Sequence, residues 1–152
     1  MPHVVPSLRA ALLLASLACA WTLPAAAAPQ EAVPIVTVNP VVLTDGAQGK
    51  DILLRVTAPL KGRNLPIILF SHGAQYSKDD YLPLTEFWAS HGYVVIQATH
   101  IESLSLGLPR NDPRIQDAWK TRVLDLRKAL DSLAEIEKQA PVLKGRMDRK
   151  RV

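Results

Sequence analysis

The feature that most constrains the fold is an almost purely apolar run that ends abruptly at polar residues and a glycine. It extends from Leu65 to Phe70 and is followed by Ser71-His72-Gly73. A short apolar run of this kind is typical of a strand buried on both faces, as in the parallel sheets of α/β proteins. Ligands of open α/β sheets bind beyond the carboxyl ends of the strands. The turn after Phe70 is therefore where we expect a functional site.

The residues that follow predict a helix and then a second buried strand. Leu84, Phe87 and Trp88 share one face of the predicted helix at three- and four-residue spacing, and Gly92 ends it. Residues 94–98 are again apolar and lead to a second polar strand end. A strand–helix–strand order requires a right-handed crossover between two parallel strands.

The flanking segments extend this pattern into an α/β domain. Residues 41–44 and 52–57 are β-rich and are joined by a glycine-containing loop, which predicts an antiparallel hairpin. Residues 28–40 contain several prolines and are expected to form an extended lead-in. A stripe at helical spacing predicts one long helix after residue 114, and its members are Ile115, Trp119, Arg122, Val123, Leu126, Leu130, Leu133 and Ile136. The boundaries of the domain are thus predicted at residues 41 and 152.

The N-terminus has the order of charge, apolar core and small residues that characterises a secretory signal peptide. Arg9 precedes an apolar run from Ala10 to Leu23, and Ala25-Ala26-Ala27 supplies a small-residue cleavage site. We therefore expect residues 1–27 to be removed and the protein to be secreted or periplasmic. The run is shorter than the roughly 20 residues that a membrane-spanning helix needs, so no membrane span is expected after cleavage.

Cysteine content and charge exclude several classes of function. Cys19 is the single cysteine and lies within the predicted signal, where its lipidation is an open alternative. A mature chain without cysteine has no disulfide, no thiolate nucleophile and no cysteine-ligated metal. The formal charge of +4 comes largely from the basic residues between 144 and 151. Since no aromatic platform accompanies them, we interpret this segment as a solvated loop and predict no nucleic-acid partner.

The turn after the first buried strand holds the candidate site residues. Neighbouring residues of a strand point to opposite faces, so Ser71 and His72 are not expected to form the hydrogen bond that activates a nucleophile. We favour a turn after Gly73 that directs backbone N–H groups into a crevice, with Gln75 and His100 beside it. An ordinary strand-to-helix turn explains the same residues equally well. No third metal ligand and no phosphate loop accompany the histidines, so neither a metal nor a cofactor is predicted.

Two charged residues of the predicted long helix have alternative interpretations. Arg122 and Asp125 are separated by three positions, which suits an ion pair on the helix surface. The same spacing would also let both side chains tie the helix to the loop after Ala98. The sequence leaves both alternatives open.

Several of these segments together resemble a known family. Pro66 to Gly73, the segment from Trp88 to Val95, and the R-x-x-D-x-x-x-x-L-D pattern from Arg122 to Asp131 resemble the N-terminal half of α/β-hydrolases. The resemblance is to the dienelactone-hydrolase-like group, which includes chlorophyllases and platelet-activating-factor acetylhydrolase-like esterases. It implies the N-terminal part of an α/β-hydrolase sheet, with an antiparallel hairpin, a parallel β-α-β unit and a long helix.

The resemblance also implies a chemistry. In the family, the residue after His-Gly supplies an oxyanion-hole N–H, which here is Ala74, while His72 and Gly73 shape the turn. The nucleophile elbow G-x-S-x-G is absent from these 152 residues and would follow a strand that starts near Arg151. Residues 41–152 are therefore expected to be an incomplete α/β-hydrolase domain that ends before the elbow.

These implications define the functional expectation. The chain is expected to be the N-terminal fragment of a secreted or periplasmic serine hydrolase that acts on a small-molecule carboxylic ester. Its catalytic serine, acid and histidine would not be in this chain, so the chain alone is expected to be inactive. A non-catalytic secreted binding protein or a truncated gene product is the alternative.

Overall fold

The computed structural model describes residues 31–44 and 46–152. The predicted signal peptide and the first residues of the predicted lead-in lie outside the described residues. Within the described ranges, no helix has the length and apolar character that crossing a membrane requires.

A mixed sheet of four strands, in the spatial order β1-β2-β4-β3, forms the centre of the fold. The strands are β1 (Ile35–Leu43), β2 (Ile52–Pro59), β3 (Ile67–Ser71) and β4 (Val94–Ala98). β1 pairs with β2 and β2 with β4 in antiparallel orientation, whereas β3 and β4 are parallel. The α/β class, the hairpin and the parallel β-α-β unit predicted from the sequence are thus confirmed.

The first strand is longer than the sequence indicated. β1 starts at Ile35 rather than at Val41, because residues 35–38 pair with residues 56–59 of β2. The register shifts between Val38 and Val41, and Pro40 lies within this irregularity. A proline has no N–H to give to the ladder, so such a position is where a strand accommodates it.

Among the described residues three α-helices cover the sheet, and the long helix predicted from the sequence is in fact two. They are α1 (Leu82–Ser90), α2 (Ala118–Asp131) and α3 (Leu133–Gln139), with Ser132 separating the last two. Short 3₁₀ turns lie at Ala47–Gly49, Leu104–Leu106, Pro113–Ile115 and Pro141–Leu143.

The inward face of α1 differs from the predicted one. Thr85 and Ala89 are buried, whereas Leu84 and Phe87 are exposed and Trp88 is half-buried. The small side chains let the helix backbone lie close to the strands, and interiors are packed densely enough for that to matter. Side-chain size as well as hydrophobicity therefore decides which face of this helix turns inward.

The same correction applies to α2. Its fully buried positions are Asp125 and Ala129, while Trp119 is 68% exposed and Val123 is 66% exposed. Leu126 and other apolar side chains of the predicted stripe are only partly buried against the core. The inward face of α2 is thus small and polar near the strand ends and apolar only toward its C-terminus.

The last described residues lie beside β3. Leu65 forms a parallel bridge with Met147, and the Ile67 N–H donates to the carbonyl of Arg151 at 2.8 Å. This segment contacts the beginning of β3. The polar end of the strand, where the site lies, contacts β4 and α2 instead.

Candidate active-site turn

The turn after β3 lies at the carboxyl end of the sheet and exposes two residues to solvent. Ser71 is the last residue of β3, and the Tyr76 N–H donates to the Gly73 carbonyl at 3.2 Å to close the turn. Between them, Ala74 and Gln75 are both exposed. Since β4 ends beside β3, the polar ends of the two parallel strands meet here, as the sequence predicted.

Gly73 does not have a left-handed backbone conformation, and any side chain here would have to displace the Tyr81 hydroxyl. A Cβ atom at this position would lie 2.7 Å from the Tyr81 hydroxyl and 3.2 Å from the ring of Tyr76. The left-handed residue of the turn is instead Gln75, with φ of 71°. We expected the sharp bend at the glycine, and the structure places it two residues later in a conformation that glycine adopts more readily.

Two clefts border the exposed part of the turn. Ala74 and Gln75 line a cleft of about 270 Å³, together with Glu102 and apolar side chains that include Leu104 and Ile115. The same two turn residues also border a second cleft of about 410 Å³. Among the described residues, none accepts a hydrogen bond from the Ala74 N–H. The turn thus presents a free donor beside a partly apolar cleft.

A buried chain of hydrogen bonds lies directly behind the turn. Ser71 Oγ is 3.0 Å from His100 Nε2, and His100 Nδ1 is 3.0 Å from Asp125 Oδ2. A carboxylate can only accept, so Nδ1 carries a proton, and in the neutral imidazole Nε2 then accepts from the Ser71 hydroxyl. His100 and Asp125 are both fully buried. These are the contacts of a Ser–His–Asp arrangement, which no pattern in the sequence predicted.

Arg122 links this chain to the turn. Its Nη1 donates to Ser71 Oγ at 3.0 Å and to the His72 carbonyl at 2.6 Å, while Nη2 pairs with Glu102. Asp125 contacts His100, which also follows β4. Of the two alternatives for these helix residues, the tie to the loop after Ala98 is therefore the one that the structure shows. Their three-residue spacing suited both alternatives and did not distinguish them.

The predicted site residues end up in two groups. Gln75 lines the two clefts beside Ala74. We also expected His100 beside the crevice. It is instead fully buried behind the turn, and both of its ring nitrogens have protein partners. In the part of the chain that the structure describes, no three histidine, cysteine or acidic side chains are grouped to hold a metal ion.

His72 supports the turn in its neutral form. Its Nε2 accepts from the His100 backbone N–H at 3.0 Å, and its Nδ1 donates to the Gly73 carbonyl at 2.7 Å. Burial lowers the pKa of His72 below its ordinary value of 6.5, and the bond to the Gly73 carbonyl opposes that shift without cancelling it. Protonation at Nε2 would remove the acceptor that holds His100.

This pKa shift predicts a pH dependence of stability. Above pH 6.5 the His72 ring is neutral in both the folded and the unfolded chain. As the pH falls below that value, the unfolded chain binds a proton that the folded chain does not, so the free energy of unfolding falls until the folded pKa is reached. His72→Gln keeps an acceptor but does not titrate. It should therefore flatten this slope in urea midpoints measured from about pH 5 to 8.

His91→Gln is the matched control, since His91 lies at the end of α1 and contacts Phe87 rather than the turn. This variant should keep the parental slope. An equally steep slope in His72→Gln would show that the buried imidazole is not the titrating group.

Comparison with known proteins gives a family match and several matching chains of solved structure, among them two structures of one esterase. The chlorophyllase family model matches residues 32–123. No curated protein matches the chain. Among solved structures, the esterase Est22 has 17% sequence identity and a TM-score of 0.48, and a serine-to-alanine mutant of it has 16% and 0.49. They cover 76% and 79% of this chain, which spans only 33% of the length of each.

The family match extends over more than half of the chain. It includes all four strands, the turn from Ser71 to Gln75 and the helix position of Arg122. The chain therefore belongs to the chlorophyllase family, within the esterase-like α/β-hydrolases.

Proposed function

We propose that this chain is the N-terminal part of a secreted or periplasmic serine hydrolase that cleaves small-molecule carboxylic esters. Membership of the chlorophyllase family supports the hydrolase class. The observation that carries the finer proposal is the exposed Ala74, whose N–H has no acceptor among the described residues and which borders a partly apolar cleft.

The proposed chemistry is acyl transfer through a serine ester. In the transition state, negative charge develops on the oxygen of the ester carbonyl, and the Ala74 N–H donates to it. A preorganised donor of this kind contributes about 10² to 10³ in kcat. The apolar side chains that line the cleft accommodate the uncharged part of the ester. His72 and Gly73 maintain the turn, and the nucleophile, acid and base come from residues outside these 152.

The coding sequence beyond Val152 tests this proposal directly. We expect a G-x-S-x-G elbow within about ten residues of Val152, because it follows the next strand of the family. A reading frame without any such elbow would favour a non-catalytic binding protein. The 152-residue chain by itself should not turn over a short-chain nitrophenyl ester, and turnover that Ser71→Ala abolishes would contradict the proposal.

Export is a separate prediction with its own test. N-terminal sequencing of the protein recovered from the producing cell should begin near Ala28, since the small residues at 25–27 form the cleavage site. In Ala27→Trp the bulky side chain should block cleavage at this position, whereas Ala32→Trp should not affect it. An intact Met1 in the soluble cytoplasmic fraction would refute export.

A further inference from the structure

We propose that Arg122 is a positioning residue that holds the oxyanion turn in place, and that the Ser71–His100–Asp125 chain is its anchor rather than a second catalytic triad. The effect on rate rests on the proposed function, whereas the effect on the turn does not. Neither the family match nor the resemblance assigns a role to these contacts.

The guanidinium of Arg122 joins three parts of the site. Nη1 bonds the His72 carbonyl, two residues before Ala74, and also bonds Ser71 Oγ. Nη2 pairs with Glu102, which lines the cleft beside Ala74. Hydrogen bonds from a charged planar fork are short and directional, so they restrict orientation as well as distance. The turn, the strand end and the cleft wall are therefore fixed to one helix.

The anchor itself is an unbroken chain of hydrogen bonds. The His72 ring accepts from the His100 backbone, and the His100 ring joins Ser71 to Asp125. Lys50 Nζ lies 3.4 Å from Asp125 Oδ2 and supplies a counter-charge. Both ends of the segment that precedes Ala74 are thus held by buried groups, which leaves Ala74 itself as the free donor.

The contacts of Ser71 argue against its being a nucleophile. Donation of its hydroxyl to His100 is the contact that activates a serine, but its oxygen also accepts from the Arg122 guanidinium, and that bond withdraws the electron pair that would attack a substrate. Neither of the two clefts that border Ala74 is lined by Ser71. A nucleophile has to reach a bound substrate, and Ser71 borders neither of the spaces in which a substrate could lie beside Ala74.

Kinetics of the protein as the producing cell makes it give the first readout. Arg122→Gln should lower kcat and kcat/KM together by about 10²-fold, because a displacement of about 1 Å in an oxyanion donor costs that much. Arg122→Lys should recover part of the loss, since the ammonium can keep the bond to the His72 carbonyl. Arg127→Gln, an exposed position on the same helix, is the control and should leave both constants unchanged. A change confined to KM would overturn the positioning role.

Amide hydrogen exchange of the same variants gives a second readout that needs no activity. The reporters are the Tyr76 N–H, bonded to Gly73, and the Leu104 N–H, bonded to Gln75. Both should exchange at least about tenfold faster in Arg122→Gln, while the amides of β4 stay protected and show that the chain is folded. If the β4 amides of Arg122→Gln also lose protection, that variant is not folded, and the same two reporters are then measured in Arg122→Lys.

Kinetics and amide exchange together distinguish a failure of the proposed function from a failure of the role proposed for Arg122. A protein with no esterase activity would refute the proposed function, and the exchange data would still decide whether Arg122 holds the turn. Parental exchange at both reporters would overturn this inference whatever the activity. Covalent labelling of Ser71 by a fluorophosphonate would also overturn it, because the anchor would then be a working triad.

Discussion

Replacing Asp125 by alanine is expected to lower the free energy of unfolding by about 3 to 5 kcal/mol, as breaking a buried ionic contact usually does. The substitution leaves the His100 Nδ1–H buried without its acceptor and Lys50, which is largely buried, without its counter-charge. The His100 Nδ1–H then bears a desolvation cost that no contact offsets, and Lys50 keeps only its 3.5 Å hydrogen bond to the Thr99 carbonyl. The loss should be larger than that of any exposed charged residue on the same helix.

Urea unfolding of the variants measures this effect. Asp131→Ala is the matched control, because Asp131 lies on the same helix in an exposed pair with Arg127 at 3.9 Å and should change stability by less than about 0.5 kcal/mol. Asp125→Asn keeps an acceptor for His100, so its loss of unfolding free energy should lie between those of Asp125→Ala and Asp131→Ala. If Asp125→Ala unfolds at the parental midpoint, the buried chain does not stabilise the fold.

Replacing Ala74 by proline in the whole protein is expected to lower kcat by about 10² to 10³-fold, because proline has no N–H to donate to the oxyanion. The Ala74 N–H makes no hydrogen bond to any described residue, so its removal takes no contact from the fold itself. The loss should therefore appear in the rate and leave the unfolding midpoint nearly unchanged.

Initial rates on a short-chain nitrophenyl ester, with thermal melting of each variant, distinguish these effects. Ala74→Gly keeps the N–H and removes only the methyl group, so it should retain most of the parental kcat. A proline variant that melts with the parent and also turns over at the parental rate would show that this N–H is not an oxyanion donor.

Much of the fold could be predicted because its strands are continuous apolar runs. The segments that became β3 and β4 contain few polar residues before their ends, and that pattern predicted the parallel pair. Burial on both faces was correct for β4, whereas Ile67 is the one buried residue of β3. The inward faces of the helices could not be predicted in the same way. Helical periodicity places Leu84 and Phe87 together on α1, but it does not show that Thr85 and Ala89 permit a closer approach to the sheet.

The site was predictable in position and not in its internal contacts. The polar strand ends marked the turn, since carboxyl ends of parallel strands meet at one edge. Ser71, His100 and Asp125 come from three different elements, so only the three-dimensional arrangement brings them together. Arg122 fell within the predicted apolar stripe, and an arginine in that position was the one sign that this helix face met a polar partner.

Fluorophosphonate labelling of the protein as the producing cell makes it, followed by mass spectrometry of the labelled peptide, tests the central claim most directly. The reagent forms a covalent bond with an activated serine, so the labelled residue identifies the nucleophile. We predict a single labelled serine within a G-x-S-x-G sequence beyond Val152, and less labelling in Ala74→Pro than in Ala74→Gly. Labelling of Ser71, or no labelled serine in a folded protein, would contradict the account.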